Sequence, residues 1–128
     1  MRSGICALML LMMVTATVAE EDAHSANAIL PGCKAFAGEM IGEPPFKQGV
    51  CGGMVLGVLG MAVNLRDLCK DLSSCGNARL MCVNAPESVT VADATHVVIK
   101  YLEANTNRLH EKFDWLALEA LQDAWPCK

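Results

Sequence analysis

Cysteine is the residue type in this chain that could perform the widest range of chemistry. The distribution of the cysteines indicates a structural role rather than a catalytic one. The 128 residues contain seven cysteines, of which Cys6 lies in an apolar N-terminal stretch. The other six are the candidate disulfide residues, Cys33, Cys51, Cys69, Cys75, Cys82 and Cys127. An even number of cysteines behind an export signal is typical of a disulfide-bonded domain outside the cytoplasm. No Cys-x-x-Cys pair occurs, and the spacing of Cys69 and Cys75 is not a common zinc spacing, so we expect no metal and no cofactor.

The three histidines do not form a recognisable catalytic motif. His24 lies in a polar segment, residues 20–27, that we expect to be loose. His96 falls on the polar face of a predicted helix, where a solvated histidine is the default. His110 precedes Glu111 and could orient a contact with a partner, although a structural role is more common at a helix end. The sequence contains no Gly-x-Ser-x-Gly motif and no phosphate-binding glycine loop, and we predict that the chain is not an enzyme.

The first 19 residues have the features of a secretion signal. Arg2 supplies a positive charge, residues 5–14 form an apolar run, and Thr17-Val18-Ala19 offers a small-residue cleavage site. The apolar stretch is shorter than the ~20 residues that a membrane-spanning helix needs. We therefore predict a signal peptide over residues 1–19, cleaved near Ala19, and a single exported domain over residues 20–128 with no membrane segment.

The charge balance limits the partners of the predicted domain. Without residues 1–19 the chain carries 9 basic and 14 acidic side chains, a net charge of −5. Such a balance argues against nucleic acid or an anionic membrane surface as a partner and permits a basic protein partner.

Hydrophobic periodicity predicts an all-α fold, a small disulfide-stapled bundle of about four helices. The helix over residues 26–36 should be interrupted near Pro31-Gly32, and Thr90 and Asp93 should cap the third helix. Pro126 should stop the last helix. The predicted helices cover residues 26–36, 50–65, 90–104 and 109–125.

A stripe of glycines marks the most apolar of these helices. Gly49, Gly53 and Gly57 recur at every fourth position in an uncharged segment. Glycine costs a helix ~1 kcal/mol per residue, so the stripe suggests that a neighbouring element packs closely against it. Membrane helices use the same pattern, but the segment over residues 50–65 is short for a span, and we interpret it as a buried central helix.

The six cysteines allow fifteen pairings, and the sequence does not choose among them. Two antiparallel helices joined by a short turn bring the start of the first near the end of the second. This geometry favours Cys82–Cys127 and Cys33–Cys51, which leaves Cys69–Cys75 as a local pair.

Several ordered motifs resemble those of the Rap/Tai family of type VI secretion immunity proteins, over about residues 27–127. The most specific motif is Ala-Trp-Pro-Cys after the last helix. The motifs are Asn-Ala-Ile-Leu-Pro-Gly-Cys (27–33), Gln-Gly-Val-Cys-Gly-Gly (48–53), Cys82 ahead of Ser-Val-Thr-Val (88–91), Val-Val-Ile-Lys-Tyr-Leu (97–102), Leu-His-Glu (109–111) and Leu-Ala-Leu-Glu-Ala-Leu-Gln-Asp-Ala-Trp-Pro-Cys (116–127).

This resemblance implies a small helical periplasmic protein that binds a peptidoglycan amidase effector and occludes its active-site cleft. Such proteins are often dimers, so a homodimer is among the expected assemblies. By position, Cys69 and Cys75 are additions to the cysteines of the family, which correspond to Cys33, Cys51, Cys82 and Cys127.

The connection over residues 66–81 is the candidate contact surface for the effector, because a stiff acidic loop could plug a cleft. Its candidate contact residues are Asp67, Asp71, Ser73, Ser74, Asn77 and Arg79. The same segment also fits a disulfide-tied linker with no contact role. The second hypothesis, a periplasmic acid-stress chaperone, also fits the size, export, disulfides and acidic charge, and a small secreted enzyme ranks third.

Overall fold

Four α-helices and two short 3-10 helices form the fold within the described residues. The computed structural model describes residues 22–70 and 75–127, with their side chains except those of residues 78 and 79. The elements are α1 (Ala26–Phe36), α2 (Pro45–Lys70), a 3-10 helix (Gly76–Met81), α3 (Val91–Ala104), a second 3-10 helix (Thr106–Arg108) and α4 (Phe113–Ala124). No strand occurs among these residues, so the predicted all-α fold is confirmed. The predicted signal peptide, residues 1–19, lies outside the described residues.

Helix α1 runs through Pro31, so the predicted interruption is wrong. The hydroxyl of Ser25 caps the helix by accepting a hydrogen bond from the Ala28 amide at 3.2 Å. At the other end Gly38 takes a left-handed conformation with φ 78°, which closes the last turn. Proline removes one helical hydrogen bond, and the buried residues Ile29 and Cys33 on either side of Pro31 hold the helix against the core.

Helix α2 is longer at both ends than the predicted range 50–65. Pro45 occupies its first position. The N–H of a first helical residue makes no hydrogen bond within the helix, so proline costs nothing there, and its fixed φ suits a helix. The last turns are held by tertiary contacts, since Cys69 is buried and the Arg66 guanidinium donates to Oδ1 of Asn84 at 3.0 Å. As a result Asp67 lies on a helix rather than in the predicted irregular connection.

The core lies where α2 packs against the other three helices. Its largest wholly buried side chains come from all four α-helices and from the segment before α3, and Thr95, the polar residue among them, donates its hydroxyl to the Val91 carbonyl at 2.8 Å. These side chains are Phe113, Leu102, Leu116, Leu121, Val55, Val83, Val98, Thr95, Cys33 and Cys51.

The glycine stripe of α2 faces away from this core, so the prediction that a neighbouring element packs closely on it is wrong for the described residues. Around Gly49, Gly53 and Gly57 no described atom of another element lies within 4 Å of the place a Cβ would take. Close backbone packing occurs instead at Gly32 on α1 and at Gly52 on α2. The buried side chains of α2 recur on the opposite side of the helix, and their burial turns the glycine stripe away from the core.

Helix α3 matches its predicted range, with the predicted cap. The Thr90 hydroxyl accepts from the Asp93 amide at 3.1 Å, and the Asp93 carboxylate accepts from the Thr90 amide at 2.9 Å. These two bonds form a capping box.

Helix α4 begins at Phe113, four residues later than predicted, because the preceding residues pair with the N-terminal segment. The Asn27 amide donates to the Leu109 carbonyl at 2.8 Å, and the Phe113 amide donates to the His24 carbonyl at 2.8 Å. The expectation that residues 20–27 are loose is therefore wrong for the described residues 22–27.

Three disulfides join the helices in the arrangement that helix geometry favoured. The Cα atoms are 5.1 Å apart in Cys33–Cys51, 5.6 Å in Cys69–Cys75 and 6.2 Å in Cys82–Cys127. The first bond links α1 to α2, the second links the end of α2 to the 3-10 helix, and the third links the segment before α3 to the end of the chain.

Helix α2 is long and apolar enough to cross a membrane by length and composition alone. Its most apolar 18-residue window has a mean hydropathy of 1.5, and a third of that window is buried. One such helix is weak support for a span, since a core helix passes the same test. Packing against α1, α3 and α4 agrees with the prediction of a central helix, but the described residues leave one face of it uncovered.

Candidate partner-binding surfaces

The candidate contact residues of the 66–81 connection do not share one loop. Asp67 lies on the last turns of α2, where its carboxylate is 3.1 Å from Nζ of Lys70 and 2.9 Å from the Arg66 guanidinium. Hydrogen bonds from these two cations lower the pKa of Asp67 below its usual range, and the bond from Lys70 has the larger effect. Asn77 is exposed on the 3-10 helix. The remaining candidates lie outside the described residues or side chains: Asp71, Ser73, Ser74 and the side chain of Arg79.

The described part of the connection, residues 75–84, is held firmly to the body of the protein. The Cys69–Cys75 and Cys82–Cys127 disulfides fix it at both ends. The Gln122 side-chain amide on α4 donates to the Leu80 carbonyl, and the Asn84 amide donates to the Trp125 carbonyl at 2.9 Å. The Leu80 side chain remains 73% exposed, so the connection presents an apolar residue on a rigid support.

A second surface, the α4 cleft, opens where the N-terminal segment crosses the start of α4. It has a volume of about 470 Å³ and is lined by Asp22, His110, Glu111, Lys112, Asp114 and Trp115. The Lys112 ammonium lies 2.7 Å from Oδ2 of Asp22 across the cleft. This contact and the His24 amide lower the pKa of Asp22, and Asp22 in turn raises the pKa of Lys112. Trp115 stands 56% exposed at the edge.

A hydrogen-bond network centred on Arg108 lies beside this cleft and shares Glu111 with its lining. The guanidinium makes two hydrogen bonds to Glu111, at 2.7 and 2.8 Å, and two to Glu119, at 2.6 and 3.1 Å. The Tyr101 hydroxyl donates to Glu119 at 2.8 Å. The pKa values of Glu111 and Glu119 are lowered, mainly by hydrogen bonds from Arg108. Burial, followed by the neighbouring Glu119 carboxylate, raises the pKa of Tyr101.

The sequence analysis did not predict the Arg108 network. Arg108 and Glu111 are three residues apart, but Glu119 lies eleven residues from Arg108, so helix spacing alone does not bring it to the same guanidinium. A signal did exist, since Glu111 and Glu119 both lie within the motifs that carry the family resemblance. Two bidentate contacts fix one guanidinium between two carboxylates in a defined geometry, and the cluster carries a net charge of −1.

The chemistry of the α4 cleft favours recognition of a protein over catalysis. Three of its titratable groups are paired, Asp22 with Lys112 and Glu111 with Arg108, and an exposed tryptophan beside charged residues is typical of an interface hot spot. His110 lies in the connection ahead of α4 and not on the helix, so it lines the cleft as the sequence analysis allowed but does not cap α4.

His96 is exposed, as expected of a solvated histidine, and it also has a side-chain partner. Its Nδ1 lies 2.9 Å from Oε1 of Glu39, which follows α1 in the chain. The contact joins the α1–α2 connection to α3. Within residues 22–70 and 75–127, no group of three or more His, Cys, Asp or Glu residues is placed to hold a metal ion.

A third surface is the side of α2 that the core does not cover, here called the outward face. It consists of eight exposed residues: Phe46, Gly49, Gly53, Leu56, Gly57, Met61, Asn64 and Leu68. Phe46 is 80% exposed, Leu68 62% and Leu56 54%. No charged residue occurs between Lys47 and Arg66, so the outward face is apolar along most of the helix.

Comparison with known proteins adds one finding to this geometry. The model of one protein family, described as Rap1a immunity proteins, matches residues 25–127. The match includes all four helices and all six paired cysteines. No curated protein and no solved structure matches the chain. Because the family model covers most of the chain, the resemblance found in the sequence is confirmed, and the protein belongs to the family of Rap1a immunity proteins.

Proposed function

We propose that this protein is a periplasmic, non-enzymatic inhibitor that binds a peptidoglycan amidase effector of type VI secretion and blocks its active-site cleft. The observation that carries the proposal is the match of the immunity-protein family over residues 25–127. Three disulfides in so small a helical domain support export to an oxidising compartment. The net charge of −5 in the predicted mature chain suits a basic effector.

The connection over residues 66–81 is the proposed contact surface. It projects the exposed residues Asn77 and Leu80 from a segment closed by two disulfides, and a stiff segment loses little conformational entropy on entering a cleft. The proposed contact residues remain Asp67, Asp71, Ser73, Ser74, Asn77 and Arg79.

The test is inhibition of a defined activity. The oxidised chain of residues 20–128 would be immobilised and exposed to material secreted by kin cells, and the captured protein would be assayed for amidase activity on purified peptidoglycan. We expect one stoichiometric partner whose amidase activity is lost as the inhibitor is added. A captured set without amidase activity, or an amidase that remains fully active when bound, would contradict the proposal.

Variants then locate the contact surface. Alanine at Asp67, Asn77 or Leu80 should weaken amidase inhibition at least tenfold if the connection enters the active-site cleft of the effector. Truncation of an interface hot spot costs ~2 kcal/mol or more. Trp115→Ala reports on the α4 cleft, and Lys100→Ala on the polar side of α3 is the matched control. If only Trp115→Ala reduces inhibition, the contact belongs to the α4 cleft and the proposed role of the connection is wrong.

A periplasmic acid-stress chaperone is the second candidate, favoured by the apolar outward face of α2. A chaperone of this kind exposes further apolar surface as its carboxylates become protonated. Fluorescence of an apolar-surface dye, measured from pH 7 to pH 2, separates the candidates. A large rise below pH 4, with suppressed aggregation of a client protein, would favour the chaperone, whereas a flat signal would remove it.

A further inference from the structure

The α4 cleft is a concave part of the described surface that the proposed contact through residues 66–81 does not use. Its volume of about 470 Å³ falls within the range of roughly 300–1,000 Å³ that is typical of ligand sites. An exposed tryptophan, Trp115, stands at its edge, and charged side chains from the N-terminal segment and the start of α4 line it. The charge of this lining therefore decides which class of ligand fits.

The lining of the α4 cleft is acidic and disfavours anionic ligands. Three carboxylates and one ammonium give it a net charge of −2 when His110 is neutral. The ammonium is that of Lys112, which already pairs with Asp22 at 2.7 Å and so is not free for a phosphate or carboxylate group. Arg108 beside the cleft does not reverse the sign, since Glu119 outside the lining balances its charge. A cationic ligand is the class that this lining favours.

Asp114 supplies the carboxylate oxygen that a cationic ligand can reach. Both oxygens of Glu111 accept hydrogen bonds from Arg108, at 2.7 and 2.8 Å. Those of Asp22 are occupied by Lys112 and by a backbone amide. Asp114 is exposed and uses only Oδ1, which accepts from a backbone amide of α4 at 3.0 Å, and no hydrogen bond to its Oδ2 occurs among the described residues. Its second oxygen is therefore available to a donor that enters the cleft.

Trp115 adds a flat aromatic surface to the same cleft, on a backbone that packing holds in place. The nearby core-facing positions of α4 are filled by Phe113 and Leu116, both wholly buried, so the indole remains outside and 56% exposed. An indole attracts a cation that lies within about 6 Å of its ring. Arginine combines a permanent charge with a planar group that stacks on an aromatic ring and donates two hydrogen bonds to a carboxylate. Tryptophan and a free carboxylate in one cleft thus favour arginine over the compact ammonium of lysine.

We propose that the α4 cleft binds an arginine side chain of a partner protein, with the guanidinium against the Trp115 indole and paired with the Asp114 carboxylate. Tryptophan and arginine are both enriched in interface hot spots, and hot spots on two partners tend to face each other. The site goes beyond the proposed function, because any basic partner can supply the arginine and the partner need not be an amidase or be inhibited.

An NMR titration with a blocked tripeptide, N-acetyl-Gly-Arg-Gly amide, tests the site without an identified partner. The oxidised, ¹⁵N-labelled chain of residues 20–128 is titrated with up to ~50 mM peptide at pH 7.5 and constant ionic strength. We expect a saturable shift of the Trp115 indole N–H signal, with a dissociation constant on the order of 10 mM, because one exposed cation–π contact and one exposed ion pair are weak. The matched peptide carries citrulline, which has nearly the shape of arginine without its charge, and should give no saturable shift. No shift with the arginine peptide, or an equal shift with the citrulline peptide, overturns the proposal.

Variants with matched controls locate the bound arginine. Trp115→Ala and Asp114→Asn should each weaken binding about two- to fivefold, measured at the backbone amides of residues 110–113. Phe46→Ala removes an aromatic ring that is 80% exposed on α2, and Asp123→Asn neutralises an exposed carboxylate near the other end of α4. Both controls should leave the dissociation constant unchanged, and all four variants should keep the native circular dichroism. Equal effects of Asp114→Asn and Asp123→Asn would reduce the binding to overall charge and overturn the site.

Two further probes test the identity of the ligand. N-acetyl-Gly-Lys-Gly amide should bind more weakly than the arginine peptide, and equal binding would show that the cleft recognises charge alone. A trimer of N-acetylglucosamine should not shift the Trp115 signal. If this sugar binds more tightly than the arginine peptide, the indole serves to stack on a glycan, and the assignment to arginine is overturned.

Discussion

Gly32 sets the distance at which α1 and α2 pack, because a side chain there would overlap the backbone of α2. A Cβ on Gly32 would lie 2.8 Å from the carbonyl carbon of Lys47, and a backbone atom within a helix cannot move aside as a flexible side chain can. Gly52 makes the corresponding approach from α2, where a Cβ would lie 2.8 Å from Cε2 of Phe36. The Cys33–Cys51 disulfide lies next to both glycines, so the missing methyl groups and the covalent bond fix the same helix pair.

Gly32→Ala should destabilise the protein even though alanine favours a helix. The overlap with the backbone at Lys47 should cost ~1–3 kcal/mol, which exceeds the gain of at most ~1 kcal/mol in helix propensity. Gly49→Ala is the matched control, because its added methyl faces open space, and it should be neutral or stabilising by up to ~1 kcal/mol. Urea unfolding of the oxidised chain, followed by circular dichroism, measures both. Equal effects of the two changes would show that the close approach of α1 and α2 is relaxed at no cost.

The hydrogen bonds between Arg108 and Glu119 should make stability depend on pH in the acid range. Arg108 lowers the pKa of folded Glu119 below its unfolded value near 4.5. The contribution is therefore fully present above pH 4.5 and is lost as the pH falls through the folded pKa. Glu119→Gln should reduce stability at pH 7 and flatten the decline between pH 5 and pH 3. Thermal unfolding at a series of pH values measures this decline, with Glu87→Gln at an exposed position as the control. A decline as steep in Glu119→Gln as in the wild type would assign the acid response to other carboxylates.

At the level of the helices, the sequence analysis predicted correctly those features that depend on neighbouring residues in the chain. The capping box of Thr90 and Asp93 and the periodicity of residues 91–104 define α3 without reference to the rest of the chain. Pro31 and residues 109–112 behaved differently, because tertiary contacts decide them: packing carries α1 through its proline, and pairing with the N-terminal segment delays α4. The glycine stripe did not indicate where close packing occurs, because periodicity does not say which side of a helix faces the core.

The contact surfaces were less accessible to sequence analysis than the helices. The α4 cleft combines Asp22 with residues of the segment 110–115, and the Arg108 network joins residues from three elements. Such combinations arise only when the helices have packed. The cysteine pairs could be inferred because each disulfide joins the ends of elements that are adjacent in the chain.

Thr90→Ala should lower the free energy of unfolding by ~1 kcal/mol, the typical cost of losing a side-chain cap. Removal of the hydroxyl leaves the Asp93 amide without its partner at 3.1 Å and also removes the contact of the hydroxyl with the Asp93 carboxylate. Ser88→Ala, two residues before the cap at an exposed position, is the matched control and should change stability by less than ~0.5 kcal/mol. Urea unfolding distinguishes them, and an equal effect of both changes would show that α3 is held by packing alone.

For the whole molecule, the three disulfides form a chain of links from α1 to the C-terminus. Cys33–Cys51 joins α1 to α2, Cys69–Cys75 joins α2 to the connection, and Cys82–Cys127 joins the segment before α3 to the segment after α4. The apolar core of a domain this size is modest, and net stability is typically only ~5–15 kcal/mol. Each link should therefore account for a substantial part of the total.

The disulfides should differ in how much they stabilise the protein, according to the length of the loop that each one closes. The sequence separations are 45 residues for Cys82–Cys127 and 6 residues for Cys69–Cys75. In the chain-entropy model these separations correspond to ~4 and ~2 kcal/mol. Serine at both Cys82 and Cys127 should therefore destabilise the protein about twice as much as serine at both Cys69 and Cys75. Urea unfolding of the two double variants, each with its remaining disulfides verified by mass spectrometry, gives the comparison. If the local pair costs as much as the long-range pair, Cys69–Cys75 must stabilise native contacts at the end of α2 as well as restrict the unfolded chain. The connection would then be a structural part of the bundle, and a candidate contact surface whose shape depends on its disulfide.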